Sequence, residues 1–376
     1  MRSPLNFFRC AIIHLCIAGY CVPSIAQSQP CDVAEIIRNP VDVAWIWSPD
    51  SSQYLVNKKD SSGIYQIYVG KKGDAKPKCI SYNGPASQKP WNKRQKMQVQ
   101  WHASGQWIIC VVEKEKFNEQ WLNGTKGGRK LLEGWLQCGL WMDIWAVKPD
   151  GTEWTLLQTT IHGVTGPAFT PDGKKCVWAE ALDSGNLAKD KFGIWKLMLA
   201  EFGFENGNPK FITTKNITPK GAKWVEPGNF SPDGKSVLLS ADMGMADARG
   251  QDQFILNIET GEVKNLTNSP KVWDEHGVFS PDGKKVLFMS SYPYREEKNS
   301  YKVVGIKTEF MLVNTDGTGL QQLTHFRTKG YPESSDGMAA TGFFSADGKT
   351  IYCQTLIFPA YENWIIKLKG PCGNEK

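Results

Sequence analysis

The sequence predicts an all-β fold, a six-bladed β-propeller of four-stranded antiparallel blades, on three observations. A hairpin is written six times, most units carry a second tight turn, and one N-terminal strand has nowhere to pair except the last unit. The hairpin is clearest at Phe279-Ser280-Pro281-Asp282-Gly283-Lys284, followed by the apolar run Val286-Leu287-Phe288-Met289. It recurs at Phe230-Ser231-Pro232-Asp233-Gly234-Lys235 and Phe169-Thr170-Pro171-Asp172-Gly173-Lys174. Weaker copies stand at Phe344-Ser345-Ala346-Asp347-Gly348-Lys349, Trp47-Ser48-Pro49-Asp50 and Trp101-His102-Ala103-Ser104-Gly105. Proline presets φ at the first corner, Asp bonds local backbone, and Gly takes the left-handed position that ends the turn.

Taken in order, residues 1–26 have the layout of a secretory signal. Arg2 and Arg9 supply the positive region, residues 11–18 much of the apolar core, and Ser24-Ile25-Ala26 a small-x-small cleavage site before Gln27. Residues 27–376 are then expected to form one propeller domain in the periplasm or outside the cell. No later stretch approaches the ~20 apolar residues of a membrane helix. The first unit reads as strands over 43–47, 53–57, 64–69 and 76–80. Third and fourth strands meet at Lys148-Pro149-Asp150-Gly151, Glu259-Thr260-Gly261 and Thr315-Asp316-Gly317, and Leu266-Thr267 and Leu323-Thr324 close two units.

The last unit has strands over 341–344, 349–354 and 364–368 and then lacks a fourth. Residues 33–38 are predicted to supply it by pairing with 364–368, which closes the ring. Cys31 then begins one strand beside the place where Cys372 follows its neighbour, and a Cys31–Cys372 disulfide is expected in an oxidising compartment. Cys110, Cys176 and Cys353 fall inside second strands and read as buried free thiols.

Without Arg2 and Arg9 the chain carries 42 basic against 38 acidic residues. That mixed surface lacks the concentrated basic stripe of a nucleic-acid binder. Fifteen tryptophans are many, but sheet cores absorb aromatics, so the excess is not all ligand surface.

The F-S-P-D-G-K hairpins, the D-I-W and E-F-M-L third strands and the closing L-T resemble TolB-type, WD40-like propeller repeats. The resemblance covers essentially all of the chain after residue 26. TolB-type proteins place an α/β domain before the propeller, whereas here only residues 27–46 separate the expected signal from the first hairpin. The resemblance therefore implies the propeller and not TolB's role in the envelope. Similar propellers also serve as gating domains of prolyl oligopeptidase-like enzymes and, with more blades, as oligogalacturonate lyases.

Strand order sends all the short Asp-Gly turns to one face. The other face receives the loops joining second to third strands and one unit to the next: 114–140, 181–191, 241–250, 291–306 and 326–339. Binding concentrates on long loops over rigid scaffolds. The largest of these loops contains Trp121 and Trp135, with a short helix expected over 129–140 from apolar residues three to four apart. First strands line the central channel and begin on this face. Trp273-Asp274-Glu275-His276 is thus expected at the channel mouth, with Glu226 in the place of Glu275 one blade earlier.

The expected function is binding without catalysis, of a peptide, protein or glycan from the cell envelope. Trp273, Asp274, Glu275, His276 and Glu226 would supply polar contacts, and Trp121, Trp135, Trp224, Tyr292 and Tyr294 stacking surface. The alternative is a carbohydrate-active hydrolase or lyase using Glu226, Glu275 and His276 as acid and base. Glu309, in a third strand, reads as a structural charge. No cofactor is expected, and no metal, because His102, His162, His276 and His325 form no close pair. No G-x-S-x-G exists for a serine nucleophile. A monomer is expected.

Overall fold

A computed structural model describes residues 31–39, 46–74, 76–116, 136, 139–183, 193–245, 250–298, 306–357 and 360–370. Its hairpins turn as their residues dictate. In five copies an Asp carboxylate (Asp50, Asp172, Asp233, Asp282, Asp347) accepts from a hydroxyl two residues earlier, at 2.6–2.7 Å. The same oxygen accepts from a backbone N–H two residues later. The Ser48 hydroxyl and these amides hold the Asp50 carboxyl down to about 2, and the same bonds lower Asp172, Asp233 and Asp347. In the sixth copy His102 replaces the hydroxyl residue. Its Nδ1 lies 2.9 Å from Ser104 Oγ and its Nε2 3.0 Å from the Gly173 carbonyl, so this histidine ties one blade's turn to the next.

The first blade contains β2 (Ile46–Trp47), β3 (Gln53–Lys59), β4 (Tyr65–Lys71) and β5 (Lys78–Cys79). The second has β6 (Lys96–Trp101), β7 (Ile108–Glu113), β8 (Met142–Val147) and β9 (Trp154–Gln158). The third has β10 (Val164–Phe169), β11 (Lys175–Ala181), β12 (Trp195–Glu205) and β13 (Asn208–Asn216). The fourth has β14 (Val225–Phe230), β15 (Ser236–Ala241), β16 (Asp252–Asn257) and β17 (Val263–Asn265). The fifth has β18 (Asp274–Phe279), β19 (Lys285–Ser290), β20 (Glu309–Asn314) and β21 (Gln321–Gln322). The sixth is β22 (Met338–Phe344), β23 (Thr350–Ile357) and β24 (Ala360–Leu368), completed by β1 (Val33–Asn39). All six sheets are four-stranded and antiparallel, arranged as a ring.

The strand β1 pairs with β24 from Val33↔Leu368 to Asn39↔Asn363. Exposed ion pairs Lys367–Glu35 and Lys369–Asp32 flank this seam. Cys31 is in a disulfide; Cys372, its predicted partner, lies outside the described residues. The side-chain amide of Gln321 bonds both the N–H and the carbonyl of Cys31, anchoring the closing strand to the fifth blade. The expected signal, residues 1–26, also lies outside the described residues. Among the described residues no helix is long and apolar enough to cross a membrane.

First strands of successive blades touch one another (β10 with β14, β14 with β18, β18 with β22), so they surround the axis. Apolar side chains of second and third strands fill the space between sheets, as with Trp178, Leu197 and Val237 on one side and Leu287, Phe310 and Ile366 on the other. Cys110, Cys176 and Cys353 are free and buried there.

The inner strands are irregular in one consistent way. Each of β6, β10, β14, β18 and β22 has a register shift against its partner near its middle. A bulge of this kind re-aims side chains and bends a strand. In β18 it falls between Glu275 and Val278, and His276 takes a left-handed backbone, φ 58°. Inner strands also approach closely: a Cβ on Gly277 would lie 2.0 Å from Gln253 Oε1, and one on Gly228 2.4 Å from the Gly277 carbonyl.

Candidate functional site at the channel mouth

Glu226 is the second residue of β14 and Glu275 the second of β18, each four positions ahead of the aromatic that enters the hairpin. Equal register on adjacent blades brings the two carboxylates together at the strand starts, on the long-loop face. The bulge then turns His276 towards both. His276 Nε2 lies 3.9 Å from Glu226 Oε2 and 3.9 Å from Glu275 Oε2, and one donor atom from each of the three lies within 4.8 Å of the others.

Neighbouring blades hold this trio in place. His276 Nδ1 is 2.7 Å from the Ala340 carbonyl on β22, and Ser240 Oγ accepts from the His276 backbone N–H at 3.2 Å. Because a carbonyl only accepts, Nδ1 carries the proton. The Trp273 indole N–H donates to Glu275 Oε2 at 2.9 Å. The His276 side chain remains 37% exposed, against 18% for Glu226 and 12% for Glu275, so the trio opens on the imidazole side.

Burial pushes the Glu226 carboxyl up to about 7; the His276 charge opposes this, and the adjacent Glu275 carboxylate adds to the rise. For His276 burial works against the charged form, but the Glu275 and Glu226 carboxylates outweigh it and raise its pKa. Glu226 and His276 therefore both hold a proton more readily than they would free in water. The arrangement can accept a cation or pass a proton.

Other polar residues of the inner strands are spent on their neighbours. Gln98 bonds Thr165 Oγ1 at 2.8 Å and the Gly166 N–H at 3.0 Å, Gln100 donates to the Pro167 carbonyl, and Asn229 accepts from the Phe279 N–H. These bonds stitch successive blades together around the channel.

The remaining expected residues have other surroundings. Asp274 is fully buried, accepting from Ser290 Oγ and Ser269 Oγ, and burial raises its carboxyl to about 7. Trp273 is buried, with its indole N–H on Glu275. Trp224 is half-buried against the core of blades two to four, its backbone N–H donating to Asp242 Oδ1. Tyr292 and Tyr294 form a 3-10 turn; the Arg295 guanidinium sits 4.2 Å over the Tyr292 ring, and the Tyr294 hydroxyl donates to Glu309. Glu309 is buried and also accepts from Thr324 Oγ1 and the Phe326 N–H, a structural charge as expected. Trp121 and Trp135 lie outside the described residues. Of the expected helix over 129–140, Leu136 is described and is buried in the core with Leu140 and Trp141.

Fold and site define a six-bladed β-propeller with an acidic, histidine-bearing channel mouth. No family model matches the chain, and no curated protein matches its sequence. Solved structures resemble it in fold. TolB from Acinetobacter baumannii is 14% identical over 88% of this chain and 64% of its own, with a TM-score of 0.48. A puromycin hydrolase S511A mutant complexed with PGG is 15% identical over 91% and 46%, at 0.55. A puromycin-hydrolysing peptidase from Mycobacterium tuberculosis is 12% identical over 84% and 40%, at 0.50. The chain thus spans less than two thirds of the TolB chain and under half of either hydrolase. These likenesses are of fold alone.

Proposed function

We propose that this chain is an exported propeller that binds a peptide, protein segment or glycan at the mouth of its channel, on the long-loop face, without catalysis. The observation that carries this reading is the convergence of Glu226, Glu275 and His276 from two blades at an open rim. Their neighbours along the inner strands are bonded to adjacent blades, whereas this trio faces outward through His276. Propellers present ligands to such rims because rigid blades hold side chains from separate strands in one constellation.

The same geometry weighs against the carbohydrate-active alternative. Carboxyl pairs that flank a glycosidic bond stand ~5–5.5 Å or ~6.5–9.5 Å apart. Glu226 and Glu275 offer oxygens within 4.8 Å of each other, closer than either separation. The test is a paired assay of the full chain on oligosaccharide and peptide panels, scoring retention and new reducing ends or unsaturated products. Retention that Glu226→Gln or Glu275→Gln abolishes, with no product formed, supports the reading. Turnover that the same substitutions abolish would replace it with the enzyme.

A further inference from the structure

We propose that Glu226, Glu275 and His276 hold one divalent cation of the zinc or manganese class, and that the ligand of the proposed function, on which this inference builds, reaches the propeller through it. Among the described residues this is the one group of three or more His, Cys, Asp or Glu with the spacing for an ion.

Three features carry the assignment. The first is the tautomer. The Ala340 carbonyl belongs to another blade and fixes the proton on His276 Nδ1, so the neutral ring presents its Nε2 lone pair to the two carboxylates. A metal-bound histidine is held in this way, its far nitrogen donating to a carbonyl. The second is reach. Two bonds of ~2.1 Å can span donor atoms up to ~4.2 Å apart. The 3.9 Å from Nε2 to each Oε2 lies inside that limit, and with all three donors within 4.8 Å of one another the carboxylates need only a side-chain adjustment to close on one ion. The third is the donor set. One imidazole nitrogen with two carboxylate oxygens suits zinc or manganese, whereas calcium and magnesium favour all-oxygen cages.

The Trp273 indole, bonded to Glu275 Oε2, is the outer support of one ligand. Three protein donors leave coordination positions free on the exposed side of His276, facing the channel. A ligand carboxylate, carbonyl or sugar hydroxyl could fill one of them. A search of sequence for histidine pairs misses this set, because a single histidine enters it and the carboxylates come from two blades.

The experiment uses the full chain, stripped with chelator and titrated with ZnCl2 or MnCl2 alone. Stoichiometry is read by elemental mass spectrometry and affinity by calorimetry. One ion per chain is expected, weakened at least tenfold by Glu226→Gln and by His276→Asn, since Asn tolerates the left-handed backbone there. Trp273→Phe should weaken it by about 10–100-fold, the usual loss for an outer support. Unchanged melting of the ion-free variants shows that the fold is retained, and cobalt absorption bands that shift in His276→Asn report the nitrogen ligand if either variant folds poorly. No bound ion, or an ion whose affinity the variants leave unchanged, overturns the inference. A stripped chain that still retains a panel ligand, lost in Glu226→Gln, removes the cation and leaves the binding reading standing. An ion bound as expected by a chain that retains no panel ligand removes the binding reading and leaves the cation.

Discussion

His276 Nδ1 donates to the carbonyl of Ala340 across 2.7 Å, from the fifth blade to the sixth. The bond fixes which nitrogen can titrate. In nitrogen-detected NMR of the ion-free chain, Nδ1 should keep its proton throughout, while Nε2 gains one on acidification. The midpoint should lie above the ordinary 6.5, because Glu275 and Glu226 favour the imidazolium. Glu226→Gln removes one of those carboxylates and should lower the midpoint. A ring whose Nδ1 titrates instead would show that the Ala340 bond does not persist in solution.

Lys96 should make stability depend on pH. It is wholly buried, bonded to the Trp91 carbonyl and Gln66 Oε1, and burial, reinforced by Arg94, brings its amine down to about 7. The unfolded chain keeps that proton to about 10.4. Between these values the unfolded state binds more protons, so stability should rise with pH, by up to ~1.4 kcal/mol per unit from this group. Below pH 7 both states are protonated and the contribution is flat. Urea midpoints at pH 7 and pH 9.5 should differ for the parent, and Lys96→Met should reduce the difference.

Gly277→Ala should destabilise the ring by about 1–3 kcal/mol. The new methyl meets Gln253 Oε1, and Gln253 cannot withdraw, since its amide is fixed on Ser240 Oγ and the Asp274 carbonyl. Urea unfolding reads the loss. The same substitution should disturb His276 next to it, so the Nε2 midpoint should move as well.

Non-reducing peptide mapping should recover Cys31 joined to Cys372. Closing so long a loop contributes about 6 kcal/mol on a chain-entropy argument. Reduction should therefore lower the melting temperature of the parent and leave that of Cys31→Ser unchanged. Recovery of both cysteines as free thiols would leave the closing strand held by β24 and Gln321 alone.

The blades were legible because their turns are chemically explicit. Pro, Asp and Gly at fixed offsets leave few backbone options, and an aromatic residue marks where each inner strand ends. That marker also placed Glu226, Glu275 and His276 at the channel mouth, by counting back from Phe230 and Phe279. What counting cannot supply is direction. The bulge at His276 lies in how β18 pairs with β19, which residue types alone do not fix, and without it strict alternation would send His276 and Glu275 to opposite faces. Asp274 was illegible for a related reason: its partners Ser269 and Ser290 flank it in space but come from a preceding loop and the neighbouring strand. Tyr294 read as exposed stacking surface because its partner Glu309 lies across a loop.

The pairing of β1 with β24 carries a kinetic consequence. Val33 must find Leu368 before the sixth sheet is whole, whereas every other sheet joins strands close in sequence. Contacts of such separation are entropically slow to form. Five blades can therefore assemble as local units while the sixth waits, and reopening of a finished ring should begin at the same seam. Hydrogen exchange along Val33–Asn39 would then report ring opening ahead of global unfolding, and the channel mouth, which leans on Ala340 of that blade, would lose its alignment in the same event.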